Sequence, residues 1–268
     1  MRRLAALLAA LLAAAAPAAG QAIDSTGGSV ARLELLPGRA QADGTRLAGL
    51  RIALAPGWKT YWRSPGEAGI PPDFDWRGST NLARVEVLWP RPMRFESFGL
   101  ATLGYAREVV LPLHLSPENP AAPIVLSLEA RLGVCSDICI VEVATLDRRL
   151  APADEGGTGA VAAALAAVPP SAAEAGLAVA CRLTGTGAER RLSARLTPPH
   201  MLTEPDLLLE GPPGSWFDDV QIAGSGREIA VSATFLAPDT PWIARDAIRM
   251  TLLGADGFAA DIRGCTGG

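Results

Sequence analysis

From residue 29 to about residue 150, apolar and polar positions alternate in short runs punctuated by glycine and proline, the pattern of a β-sandwich. It predicts strands over residues 30–36, 47–54, 59–63, 83–88, 108–115, 124–134 and 141–150. The sixth is the clearest. Ile124, Leu126, Leu128, Ala130, Leu132 and Val134 share one face, and Val125, Ser127, Glu129 and Arg131 share the other, so the strand has a defined inner side. Cys135 has the opposite parity to Val134 and is expected either to point outward or to mark a strand already turning. The glycine-flanked stretch 95–104 reads as a loop.

After residue 150 the composition changes to Ala, Gly, Pro and Ser, with a short helix predicted over 161–168 and stopped by Pro169-Pro170. A second β-rich region follows, with runs at 177–183, 190–196, 206–209, 219–222, 228–235, 248–253 and 257–262. The fold class is therefore all-β, two sandwiches in tandem. The expected division is a leader over 1–22, a first domain over 23–152, a linker over 153–176 and a second domain over 177–268.

Composition adds an address. Met1-Arg2-Arg3, an Ala/Leu run to about Ala16 and the small-residue exit Pro17-Ala18-Ala19-Gly20-Gln21-Ala22 have the form of a secretory signal peptide, with an apolar run too short to span a bilayer. Its removal takes away two arginines and no acids, so the formal charge goes from −4 to −4 − 2 = −6. An acidic mature chain argues against nucleic acid as a partner. No later stretch reaches the length of a membrane span, so no stable membrane insertion is expected after cleavage. The periplasm is the expected location, and there disulfides persist.

Four cysteines carry the candidate chemistry: Cys135, Cys139, Cys181 and Cys265. In an extended strand Cys135 and Cys139 would be about 13 Å apart at Cα, whereas a disulfide tolerates about 7 Å. Pairing thus requires a tight reversal at Ser136-Asp137-Ile138. A bridge across so short a loop removes little chain entropy, so it adds little stability and suits a bond that is made and broken. Three readings stay open. The pair can exchange disulfides with a partner, hold Cu(I) between two soft thiolates, or pin a hairpin. Zinc fits less well, because His114 and His200 lack paired ligand spacing. No cofactor is called for. Cys181 and Cys265, 84 positions apart, read as a structural staple worth up to about 4 to 5 kcal/mol on the loop-entropy view. Near the short pair, Asp137 and Glu142 are opposed only by Arg131, which would disfavour a thiolate. Lys59, the only lysine, is given no functional weight.

One resemblance concentrates these observations. Gly57-Trp58-Lys59-Thr60-Tyr61-Trp62-Arg63, Pro65-Gly66 with Gly69, Trp89-Pro90, Arg94-Phe95-Glu96-Ser97-Phe98-Gly99, Tyr105, Leu111-Pro112-Leu113 and Gly133-Val134-Cys135-Ser136-Asp137-Ile138-Cys139 occur in the order seen in the N-terminal periplasmic domain of DsbD. The match is closer to the ScsB branch, linked to copper tolerance, and covers roughly residues 25 to 150. The resemblance implies an immunoglobulin-like sandwich that takes electrons from a membrane thiol reductase and passes them to periplasmic thioredoxin-like proteins, some serving cytochrome c biogenesis. By position, Cys139 corresponds to the cysteine that forms mixed disulfides and Cys135 to the one that resolves them. Phe98, with Glu96, falls in the family's cap loop, and Tyr61 falls at an active-site tyrosine. Bland readings stand beside these: Phe98 as a buried anchor, Glu96 as a solvated acid, and Trp58, Tyr61 or Trp62 as core aromatics. The chain departs from the family at Val141, where relatives commonly have proline. The transmembrane relay and thioredoxin-like domain of full-length DsbD have no counterpart in the sequence, so the electron donor is expected to be a separate protein.

Overall fold

The computed structural model describes residues 29–66, 68–97, 99–152, 158–224, 226–237 and 244–265. The first half contains β1 (Ala31–Ala40), β2 (Arg46–Leu54), β3 (Lys59–Gly66), β4 (Asp73–Asp75), β5 (Arg84–Val87), β6 (Met93–Ser97), β7 (Leu100–Ala106), β8 (Glu108–Ser116), β9 (Ile124–Cys135) and β10 (Cys139–Leu150). They form an immunoglobulin-like sandwich of two antiparallel sheets. One has the order β1-β2-β8-β5, the other β10-β9-β3-β7-β6, with β4 also paired to β9. The alternating residues of β9 are buried as their parity requires, from Ile124 to Val134. They pack with Leu50, Ile52, Trp62, Leu111, Leu113 and Leu115 into one core.

The stretch 95–104 departs from its expectation. It is most of the β6–β7 hairpin, joined in register from Met93↔Gly104 to Ser97↔Leu100. Glycine makes this hairpin possible twice. Gly99 takes φ +79° at the turn, and a Cβ on Gly104 would lie 1.9 Å from the carbonyl oxygen of Thr60 on the neighbouring strand.

The expected linker carries α1 (Thr158–Ala166), which places buried Val161 against the first sandwich near Gly49. Farther on, Ala172 N–H donates to Asp261 O and Asp261 N–H to Pro170 O, which ties the segment to the second half.

That half contains β11 (Ala178–Thr184), β12 (Glu189–Thr197), β13 (Asp206–Glu210), β14 (Trp216–Ala223), β15 (Ile229–Leu236), β16 (Arg249–Leu253) and β17 (Ala259–Arg263). A four-stranded sheet, β11-β12-β15-β14, faces a three-stranded one, β13-β16-β17. The second core lies between them and includes Leu192, Leu196, Ile229, Ile248, Met250 and Ile262. Cys181 and Cys265 are bonded at its margin, both buried.

The two sandwiches meet along β13. Leu208 and Leu253 join the first core, and two arginines of the first sandwich cross to carboxylates of the second. Arg63 is bidentate to Glu210 at 2.9 and 2.8 Å and also donates to Thr251 at 3.1 Å. Arg94 donates to Asp206 at 2.7 to 2.9 Å. Burial lowers the pKa of the Arg63 guanidinium, and its bonds to Glu210 counter that effect.

Candidate functional site

Strands β9 and β10 run in register down to the pair Cys135↔Cys139, leaving Ser136-Asp137-Ile138 as the whole connection. The Ser136 N–H closes the turn by donating to Ile138 O at 2.9 Å. The two cysteines are disulfide-bonded with Cα atoms 4.2 Å apart, so the tight reversal that the spacing demanded is present.

The two sulfur-bearing residues differ in environment. Cys135 is 1% exposed although it lies on the outer face of its sheet, whereas Cys139 is exposed on the edge strand β10. The cover over Cys135 is Tyr61. This residue is itself 1% exposed, and its hydroxyl stands 2.7 Å from Cys135 Sγ and 3.6 Å from Cys139 Sγ. A disulfide sulfur carries no hydrogen, so the phenol is the donor. Burial pushes the Tyr61 hydroxyl above its ordinary range, which keeps it protonated and able to donate.

Local sequence explains how a tyrosine becomes buried on an outer face. Gly69 and Ile70 come up against its ring, and two glycines let the elements close. A Cβ on Gly133 would meet Ile70 Cβ at 2.6 Å and Tyr61 Cδ2 at 3.0 Å, and one on Gly69 would meet Pro65 Cβ at 2.2 Å and Tyr61 Cδ1 at 2.9 Å. Beneath, Thr60 Oγ1 donates to Gly133 O at 2.9 Å and locks β3 to β9. Immediately after Tyr61↔Gly104 the β3–β7 register breaks, to resume at Gly66↔Thr102. Such an irregularity re-aims side chains beside a site.

Two further residues on this face were not singled out for chemistry from the sequence. Lys59 is the cross-strand partner of Cys135, and its Nζ lies 4.6 Å from the centroid of the Phe95 ring, a cation–π contact. Phe95 in turn packs against Tyr61, ring centroids 6.4 Å apart. The local charge balance therefore differs from the expected one. Glu142 lies on the opposite face of β10 from Cys139 and accepts the Val30 N–H at 3.0 Å, while Lys59 stands across from Cys135. Arg131 pairs with Glu129 at 3.3 Å, and Asp137 is exposed in the turn. The missed signal was spatial, because Lys59 and Cys135 become neighbours only through the β3–β9 pairing.

Glu96 is exposed on β6, and Phe98 lies outside the described residues. Around the hairpin tip, Ile138, Val141 and Val143 are exposed by 60%, 56% and 53%, an apolar fringe beside Cys139. A cleft of about 1410 Å³, bordered by Trp76, Trp89, Arg84 and Arg263, includes neither Tyr61 nor the disulfide. Among the described residues, no three His, Cys, Asp or Glu side chains are grouped to hold a metal ion. His114 bonds Thr45 at 2.9 Å and His200 bonds Asp256 at 3.0 Å, each away from the hairpin.

The family described as the N-terminal part of the thiol:disulfide interchange protein DsbD matches residues 32–151. These residues form a DsbD N-terminal-like domain. They take in β3, the β6–β7 hairpin and both cysteines of the short pair, and they leave the second sandwich outside. A solved structure, the N-terminal periplasmic domain of ScsB from Proteus mirabilis, superposes with a TM-score of 0.69. At 24% identity it covers 92% of this chain and 97% of that one, so the shared fold extends over both sandwiches. No curated protein sequence matches the chain. The hairpin disulfide Cys135–Cys139 lies within the matched residues.

Proposed function

We propose that the chain is a periplasmic thiol–disulfide interchange protein that relays electrons through Cys135 and Cys139 between a separate membrane thiol reductase and thioredoxin-like partners. The observation that carries this reading is the asymmetry of the pair, with Cys139 exposed and Cys135 buried under a tyrosine hydroxyl. In reduction, a partner thiolate attacks Cys139 Sγ. The Cys135–Cys139 bond breaks, and its electron pair leaves on Cys135 Sγ, which accepts the Tyr61 hydrogen bond and then a proton. The partner's second thiol attacks the partner sulfur of the mixed disulfide, departs oxidised and leaves Cys139 reduced. Donation runs in the other direction. The Cys139 thiolate attacks an oxidised partner, and Cys135 then attacks Cys139 Sγ, restoring the intramolecular bond and releasing the partner as a dithiol.

The exposed Ile138, Val141 and Val143 offer apolar contact around the one sulfur that a partner must reach. The basic, apolar leader is read as a signal peptide that delivers the protein to the periplasm. Among the described residues, no helix is long and apolar enough to cross a membrane. Phe98 and Glu96 are assigned to the cap over the site, and Cys181–Cys265 to a structural bridge. Equilibration of the protein against glutathione buffers, read by mass spectrometry after alkylation, tests the exchange reading. The Cys135–Cys139 couple should fall among exchange couples, at about −270 to −120 mV. A value below about −300 mV would mark it as a structural bridge and overturn the reading.

A further inference from the structure

We propose that the second sandwich braces the redox site: Glu210 and Asp206 on β13 hold Arg63 and Arg94, and thereby keep Tyr61 in contact with Cys135. The inference rests on the exchange reading above and assigns β13 a positioning role in it.

Tyr61 is the last residue in register with β7 before pairing resumes at Gly66, so the segment 62–65 is not held by the β3–β7 ladder. Arg63 lies within it. Its guanidinium stacks 3.7 Å over the ring of buried Trp62 and is fixed from the other sandwich by Glu210 and Thr251, with Asp261 at 3.9 Å. Both ends of the Arg63–Glu210 pair are largely buried, with side chains 12% and 17% exposed. The segment that aims the tyrosine is thus anchored to β13 by a bidentate, desolvated bond, the strong kind.

A second clamp acts on the other aromatic. Arg94 precedes Phe95 on β6 and binds Asp206, four residues before Glu210 on the same strand. Phe95 packs on Tyr61 and carries the Lys59 ammonium on its ring. One short strand of the second sandwich therefore grips both elements flanking the hydroxyl that meets Cys135. This pair is more exposed, 50% and 31%, so its effect should be the smaller of the two.

The test uses the full oxidised chain and dithiothreitol. A thiolate of that reagent attacks Cys139 Sγ, Cys135 leaves as thiolate, and the second thiol closes the cyclic disulfide, so two electrons pass to the protein. The rate constant is read by alkylation and mass spectrometry, with Tm recorded alongside. Glu210→Gln should slow reduction by up to about fivefold, bounded by the loss on Tyr61→Phe, and should add no further slowing in a Tyr61→Phe background. Asp206→Asn should give a smaller slowing. The exposed exchange of Arg94→Asp with Asp206→Arg should restore the rate that each single change lowers, which keeps the test sharp if Glu210→Gln fails to fold. Unchanged rates in the folded variants would overturn the brace. Slowing by Glu210→Gln of the same factor with and without Tyr61 would also overturn it. Because the reductant is a small thiol, a failure here is distinct from a failure to exchange with protein partners.

Discussion

Tyr61→Phe removes one oxygen atom from the site and keeps the ring that packs against Phe95. The lost contact is the 2.7 Å hydrogen bond to Cys135 Sγ, in a place where Cys135 is 1% exposed and bulk water cannot replace the donor. A hydrogen bond to a charged group is worth about 1.5 to 3 kcal/mol. When Cys135 leaves as a thiolate, roughly half of the charge has developed in the transition state, so about 1 kcal/mol of stabilisation is forfeited and the rate falls about fivefold. In the reduced protein the full charge is felt, and the Cys135 thiol pKa should rise by about one to two units. The assay is the second-order rate of disulfide reduction by dithiothreitol at neutral pH, together with thiolate absorbance against pH in the reduced variant. Tm should change little, because the ring is retained. A variant reduced as fast as the parent, or faster, would show that Tyr61 only shields the bond and would remove the leaving-group role assigned to its hydroxyl.

Two further outcomes are expected. Gly133→Ala places a methyl 2.6 Å from Ile70 Cβ and 3.0 Å from Tyr61 Cδ2, which should cost about 1 to 3 kcal/mol in chemical denaturation and shift reduction kinetics in the same direction as Tyr61→Phe. Alkaline titration at 295 nm should show no native tyrosinate near pH 10, because both tyrosines of the chain, Tyr61 and Tyr105, are raised by burial. Raised folded values mean that the native state keeps protons which the unfolded state releases. Stability should therefore hold below pH 10 and fall as pH rises beyond it, and a native tyrosinate signal near pH 10 would contradict the buried placement.

The sandwich was legible wherever one strand face is buried. The parity of Ile124 to Val134 announces β9, and the four-residue cysteine spacing demands the reversal at Ser136-Asp137-Ile138. The β6–β7 hairpin was not legible, because its glycines punctuate the stretch like a loop. Their reason, the close approach of Thr60 to Gly104, exists only once the sheet is assembled. The same holds for the site. The cysteines and Tyr61 stand in recognisable motifs, but Lys59 meets Cys135 across a strand pair 76 residues apart in sequence (135 − 59). The clamps are more remote still. Arg63 and Glu210 are separated by 147 residues and Arg94 and Asp206 by 112, so no local pattern could join them. Glu142 misled for a related reason, since sequence proximity to Cys139 conceals the alternation that turns it to the other face.

Two cysteines joined by one bond have different tasks in the exchange mechanism, and trapping separates them. Cys135→Ser and Cys139→Ser proteins, each with Cys181 and Cys265 intact, are expressed in the periplasm of a host with thioredoxin-like proteins, and mixed disulfides are captured by acid quench and alkylation. Cys135→Ser, which retains the exposed Cys139, should accumulate a mixed disulfide with a thioredoxin-like protein, and Cys139→Ser, left with a buried thiol, should accumulate little. No trapped species from Cys135→Ser, under conditions where a known exchange protein yields one, or a stronger yield from Cys139→Ser, would contradict the exchange mechanism.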